Sequence, residues 1–259
     1  MLPKELKPKH LYNLLRLGRN NDGGYLVEKD SLKDSKALIS FGLSFDWSFE
    51  KDFYNFHINA PIHCYDHTVK YSAIKKFSRN SLLNIFNIKH YSLLGFKNIV
   101  KNFYLSKDYK NFFTKNHIHF RSAIGIGTNL ISINDVFTKI STDNIFLKID
   151  IEGSEYRILN DILRFQERLS GLVIEFHNVD LHMDKILNFV NNLSFLKIVH
   201  IHGQNPGGKD YLDSKGDPTQ IEVTFSTTKN YLDVQAQIPH KLDQPSDSRF
   251  EEVKLNFVS

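Results

Sequence analysis

With Cys64 as its only cysteine, the 259-residue chain can form no intramolecular disulfide and no zinc site built from several thiolates. It also lacks any apolar run of membrane-spanning length, and the start Met1-Leu2-Pro3-Lys4-Glu5-Leu6-Lys7 lacks the apolar core of a signal peptide. These absences predict a reducing, cytoplasmic setting and no membrane insertion. The net charge is only +4 and no long basic run stands behind it, so nucleic acid is not expected as a substrate. Internal repeats and low-complexity segments are missing too. What remains is an ordinary globular composition, 41% hydrophobic, 13% aromatic and 24% charged, enough for a substantial core. That length suits one α/β domain over residues 1–259, with an entry segment at 1–30 and a helical insertion at 72–115.

Residues 8–17 have Leu11, Leu14 and Leu15 spaced for one face of a short helix, followed by the turn cluster Asn20-Asn21-Asp22-Gly23-Gly24-Tyr25. Apolar runs at 36–41, 62–66, 118–124, 145–150, 171–176, 195–201 and 222–225 read as strands, with 253–258 as a further one. Helical spacing falls at 47–57, 133–140, 153–165 and 183–193. Strands alternating with helices predict a Rossmann-like α/β fold, its central sheet mostly parallel and covered on both faces. The last strands, joined without helices, predict an antiparallel edge.

The chemistry is expected where strands end. Gly42 closes the first strand of the sheet and Asp66 the second, the order of a nucleotide-binding βαβ half, in which an acid accepts hydrogen bonds from ribose hydroxyls. Taken alone, the pair is equally a chain turn and a helix cap. Ser40-Phe41-Gly42-Leu43-Ser44 keeps one glycine where a dinucleotide fingerprint has three, which argues against a pyrophosphate cradle. Lys148, Asp150 and Glu152 share one side of the run Phe146-Leu147-Lys148-Ile149-Asp150-Ile151-Glu152-Gly153-Ser154-Glu155. An acid on so apolar a strand costs several kcal/mol to bury unless it is paired, metal-bound or exposed at the strand's mouth. Glu175 and His177 share a side of their strand, as do His200 and His202 of theirs. Carboxylates with imidazoles suit Mg²⁺, Mn²⁺ or Zn²⁺, and the same set supplies a general base. His200 is read as a satisfied core residue. His57, His63, His67, His90, His117 and His119 carry no recognisable spacing and are read as surface or loop residues.

The string Leu147-Lys148-Ile149-Asp150-Ile151-Glu152-Gly153-Ser154-Glu155 closely resembles the hallmark of the FkbM-type S-adenosylmethionine-dependent methyltransferases. Asp22-Gly23-Gly24-Tyr25, Ile174-Glu175-Phe176-His177, His200-Ile201-His202-Gly203-Gln204-Asn205 and Ile221-Glu222-Val223-Thr224-Phe225 follow one branch of that family in the same order. The resemblance implies S-adenosylmethionine over Gly42, with its ribose at Asp66. Here the usual acid and glycines of the first motif are absent, and Asp22, Gly24, Tyr25, Asp46 and Glu50 are the candidates to compensate. It further implies O-methylation of a sugar hydroxyl, often in bacterial polysaccharide pathways, on a small-molecule acceptor. In related sugar O-methyltransferases a divalent ion sits near the ends of the fourth and fifth strands, here Asp150 and Glu175, and His202 is the expected third ligand for Mg²⁺ or Mn²⁺. Asp150, His177 and His202 are the expected catalytic groups. The rival expectations are a metal-dependent hydrolase, suggested by His200 and His202 beside acids, and a catalytically silent binding module of the same fold. An oligomer is compatible with all three.

Overall fold

The computed structural model describes residues 1–83 and 93–258. A hairpin of β1 (Leu14–Gly18) and β2 (Gly24–Glu28) comes first, then α1 (Lys29–Asp34), β3 (Ala37–Phe41), α2 (Ser48–Phe56) and β4 (Ile62–Tyr65). Two helices, α3 (Tyr71–Leu83) and α4 (Leu93–Phe112), lead into β5 (His117–Phe120), a small β6 (Ala123–Ile124) and β7 (Leu130–Ile131), and α5 (Ile133–Thr138). The second half runs β8 (Ile145–Ile149), α6 (Leu159–Leu163), β9 (Leu169–Phe176), α7 (Val179–Asn191), β10 (Lys197–Gly203) and β11 (Ile221–Ser226).

Seven strands form one sheet in the order β10-β11-β9-β8-β3-β4-β5. Its centre is parallel, with Leu38 opposite Ile62, Phe41 opposite Ile149 and Ile149 opposite Ile174. Every residue of β3, β8 and β9 is buried. Apart from Ser40, Lys148, Ser170 and Glu175 these runs are apolar or glycine, as a parallel strand covered on both faces requires. β11 is antiparallel to both β9 and β10, so the antiparallel pairing expected at one end of the sheet is formed there. From β3 the chain steps outward to β4 and β5, then returns across β3 to β8. The order therefore reverses between β3 and β8, and the crevice outside those strand ends is where ligands sit in open α/β sheets.

One face buries Ile39, Phe41, Leu147 and Ile174 against Val136, Ile162 and Ile186 of the helices. The other buries Leu38, Phe146 and Val173 under Phe49 and Phe53 of α2 and Tyr25 and Val27 of the hairpin. That second face also carries a polar row at the strand ends, because Glu175 lies opposite Glu222, and Glu222 opposite His202.

Several expectations need correction. Residues 8–17 form no helix; Leu14 to Gly18 pairs with β2, Leu14 opposite Glu28 and Gly18 opposite Gly24. Leu17 and Tyr25 are buried by that pairing, a gain that outweighs the weak helical spacing of three leucines. The stretch 153–165 is a 3-10 turn at Glu155–Arg157 followed by α6, because Ile158, at φ −116 and ψ −7, breaks a continuous helix. Near 253–258 only a single bridge forms, Leu2 to Phe257. The helix α1 was not expected; Glu28 caps it by accepting from the Asp30 and Ser31 amides. Of residues 72–115, those described form α3 and α4, except 113–115, which are not helical. His90 lies outside the described residues.

Candidate active site at the strand ends

Gly42 follows β3 with φ +81, and a Cβ there would lie 1.6 Å from the Asp150 carbonyl oxygen. Only glycine lets the ends of β3 and β8 approach this closely. Just beyond three adjacent strands, Ser44 (φ 49), Glu152 (φ 54) and Asn178 (φ 50) also adopt left-handed backbone. Left-handed residues other than glycine cost free energy and gather at functional sites; here they turn the chain sharply away and leave the crevice open.

Two cavities meet in it, sharing Ser44, Asp150 and Glu152. The first, about 250 Å³, is lined by Gly42, Tyr65, Asp66, Thr68, Ile151 and Ser154. Asp66 accepts from the Leu43 and Ser44 amides at 3.0 Å each, and from the Thr68 amide and hydroxyl at 2.7 and 2.6 Å. Burial pushes its pKa up, but these hydrogen bonds outweigh burial and hold the carboxyl below its ordinary value. The second cavity, about 290 Å³, is lined by Arg19, Asp22, Asp46, Glu50, Lys148 and Glu175 among others. Arg19 reaches Asp22 at 2.6 Å and Asp46 at 3.1 Å. Glu50 is buried and accepts from the Ser40 hydroxyl at 2.5 Å; burial raises its pKa.

Between the cavities, ligand atoms of Asp150, Glu175 and His177 lie within 4.8 Å of one another. The Tyr25 hydroxyl is 3.0 Å from both carboxylates. It has a single proton and satisfies one of them at a time. Burial, with Asp150 and Glu222 close by, pushes the Glu175 pKa well up. The buried Lys148 ammonium is the nearest counter-charge, 3.8 Å from Asp150 and donating to the Gly42 carbonyl at 3.0 Å. Burial alone would lower its pKa, but Asp150, Glu50 and Glu175 raise it, so it stays charged.

His177 is fixed from behind. Glu155 is buried and accepts from the Gly153 amide at 2.9 Å and the His177 amide at 2.8 Å, with His177 Nδ1 at 3.3 Å. That leaves Nε2 facing Glu152 at 3.5 Å and Glu175 at 3.6 Å. Burial would lower the imidazole pKa; the Glu155, Asp150 and Glu152 carboxylates outweigh it and raise the pKa.

Of the residues expected from sequence, Gly42 and Asp66 line the first cavity and Asp22, Asp46 and Glu50 the second. Tyr25 lines neither cavity and meets Asp150 and Glu175 through its hydroxyl. Gly24 lines neither cavity; it opens β2, where a Cβ would lie 2.0 Å from the Arg19 carbonyl. His202 is not brought to Asp150 and Glu175. It lies on β10, beyond β11, and pairs with Glu222 at 3.3 Å and Glu252 at 2.7 Å, and His177 stands in the place expected for it. His200 is indeed an internal residue, 2.9 Å from Asp243. Sequence reasoning missed Arg19, which carries no spacing signal, and the role of Glu155, whose nearness to His177 depends on how the strand ends turn.

Among solved structures, the chain is similar to the precorrin-6y C5,15-methyltransferase of Geobacter metallireducens GS-15, at 10% identity over 76% of this chain and 86% of that one, TM-score 0.39. It is also similar to the fibrillarin pre-rRNA processing protein of Methanococcus jannaschii, at 10% identity over 76% and 68%, TM-score 0.37. At that level neither neighbour's activity transfers to this chain. No curated protein matches it. The methyltransferase FkbM domain model matches residues 6–197, most of the chain and all of the crevice from Arg19 to His177. The chain belongs to the FkbM family of S-adenosylmethionine-dependent methyltransferases.

Proposed function

We propose that the protein moves the methyl group of S-adenosylmethionine onto a sugar hydroxyl, carried on a nucleotide-linked sugar or a capsular polysaccharide. The observation that carries this reading is the meeting of two cavities at Asp150, one beside Gly42 and Asp66, the other lined by Asp150 and Glu175, with the buried His177 behind them. The first cavity takes the adenosine half of the cofactor, with Asp66 towards the ribose. Arg19 and the acids Asp22 and Asp46 offer both charge signs for an amino-acid half, replacing the missing glycine-rich motif.

When bound, the sulfonium supplies an electrophilic methyl group. The chain has to align the acceptor oxygen and take its proton. His177 takes the second task, since Glu155 occupies Nδ1 and leaves Nε2 towards Glu175 and Glu152, through which it reaches the crevice. Two carboxylates and an imidazole also fit a divalent ion such as Mg²⁺ or Mn²⁺. Burial first, and then the Asp150 and Glu222 carboxylates, raise the Glu175 pKa, and a bound cation would offset both. Asp150, Glu175 and His177 would hold such an ion, which lowers the pKa of a bound hydroxyl. Proton acceptance then falls to whichever of Asp150 and His177 keeps a free lone pair. The test is transfer of labelled methyl from S-adenosylmethionine to a panel of sugar nucleotides and capsular oligosaccharides. An O-methyl sugar is expected, formed more slowly with chelator and restored by Mn²⁺. Methylation at nitrogen or carbon, or hydrolysis of these substrates without S-adenosylmethionine, would overturn the reading.

A further inference from the structure

The modest net charge conceals an uneven distribution. Between His67 and Asn134 the only acidic residue is Asp108, and its carboxylate is held by Lys51 at 2.5 Å and the Trp47 indole at 2.9 Å. The packed helices α3 and α4 lie in this stretch and expose Lys75, Lys76, Arg79, Lys101, Lys107 and Lys110. A solvated helix face normally intersperses acids three or four residues from its lysines, which offsets the repulsion. Here none is available for the purpose. Apolar side chains stand among the cations: Phe77 is 40% exposed, Leu83 65% and Tyr104 53%.

Extent and composition narrow the choice of partner. α4 has 20 residues and so spans roughly 30 Å, far more than one phosphate group. Cations spread over that length match an extended anionic surface. Exposed Leu83 and Tyr104 among them match a surface with an apolar layer beneath its charges. A nucleic-acid backbone offers Leu83 nothing to bury in. Phe77, Asn102 and Leu105 of the same helices also line the second cavity.

We propose that the α3 and α4 pair docks the protein peripherally on an anionic phospholipid bilayer, holding the mouth of the second cavity beside the membrane. Among the described residues no helix is long and apolar enough to cross a membrane, so attachment is by the surface alone. Each basic residue near such a surface contributes about fivefold in affinity.

The test is co-sedimentation of the full chain with phosphatidylglycerol vesicles and, in parallel, phosphatidylcholine vesicles. Binding to the first only, lost at high salt, is expected. Lys75→Glu, Lys76→Glu and Arg79→Glu together are expected to weaken it about a hundredfold or more, leaving the unfolding midpoint and S-adenosylhomocysteine affinity unchanged. Lys101→Glu with Lys107→Glu on the other helix provides an independent check and is expected to act in the same direction. Equal binding to both vesicle types, undiminished binding by both variants, or tight binding of duplex RNA without vesicle binding would each overturn the proposal. The outcome does not depend on which acceptor the enzyme methylates.

Discussion

Two clusters of histidine and carboxylate lie in the strand-end region; burial raises a carboxyl pKa in both, Glu175 in one and Glu222 in the other, and only the first lines the cavities of the crevice. Around Asp150, Glu175 and His177 the negative charge exceeds the nearby positive charge, Asp150 lines both cavities and Glu175 the second, and burial drives the Glu175 pKa up. Across β11, the His200 ring lies against Asp243 and His202 sits between Glu222 and Glu252, all but Glu252 sealed from solvent. There burial would lower the His202 pKa, but Glu222 and Glu252 outweigh it and lift it to about 10. The first cluster is under-neutralised and open; the second is paired and closed. Residue types alone do not separate a site from a clamp. The partners on the neighbouring strands do.

The largest effect that would sharpen this contrast is on turnover. Asp150→Asn is expected to reduce methyl transfer by about a thousandfold, in the range of losing a positioned acid or base, with S-adenosylhomocysteine binding by calorimetry changed little. Activity close to wild type would erase the distinction. At the clamp the expected loss is in stability. His202→Gln leaves Glu222 and Glu252 without their cation and should cost about 3–5 kcal/mol, the range for breaking a buried pair, measured by urea unfolding. The pH dependence follows from the same group. Its folded pKa is raised, so its contribution is fully present below about 6.5, the unfolded value, and is lost as pH rises towards about 10. A wild-type unfolding curve with no decline over that window beyond that of His202→Gln would contradict the pairing.

A smaller effect tests how His177 is held. Glu155→Gln keeps a hydrogen-bonding group at the same place but removes the buried charge behind Nδ1. Loss of such an orienting partner typically costs 10–100-fold, so kcat should fall by about that factor while KM for S-adenosylmethionine stays near its original value. A change confined to KM would make Glu155 a mere brace of the cofactor loop.

How much of this was legible in the sequence follows from what each signal depends on. The runs that became β3, β4, β8 and β9 were readable because strands buried on both faces are apolar throughout, a local property. The segment from Leu14 to Gly18 was not, since Leu11, Leu14 and Leu15 fit a helical spacing while Leu15 and Leu17 alternate as a strand does, and pairing of Leu17 with Tyr25 decided the matter. Asp150 and Glu175 were legible as acids on apolar strands. His202 was read into the same group because it too lies near the end of a strand, and periodicity cannot tell how many strands separate two ends. The chain passes from β9 through α7 to β10 before β11 inserts between them, so Glu222 stands between Glu175 and His202. Glu252, the clamp's other acid, comes from a stretch without regular structure, where no spacing rule applies.

The finest test of the contrast concerns the sign of a stability change. A carboxyl whose folded pKa lies above its unfolded value is stabilising only at low pH, and destabilises the fold once it is forced to ionise. Glu175 is such a group, buried beside Asp150 and Glu222. Replacing it by Gln keeps the shape and removes the repulsion, so Glu175→Gln should be more stable than wild type at neutral pH, by about 1 kcal/mol on the usual scale of such gains, while losing activity. Mn²⁺ should raise the wild-type unfolding midpoint, because an ion bound only by the folded state stabilises it, and should raise that of Glu175→Gln less. A loss of stability in Glu175→Gln would mean that Lys148 and Tyr25 already neutralise the cluster. The strand ends at Asp150 and at His202 would then differ in solvent access alone.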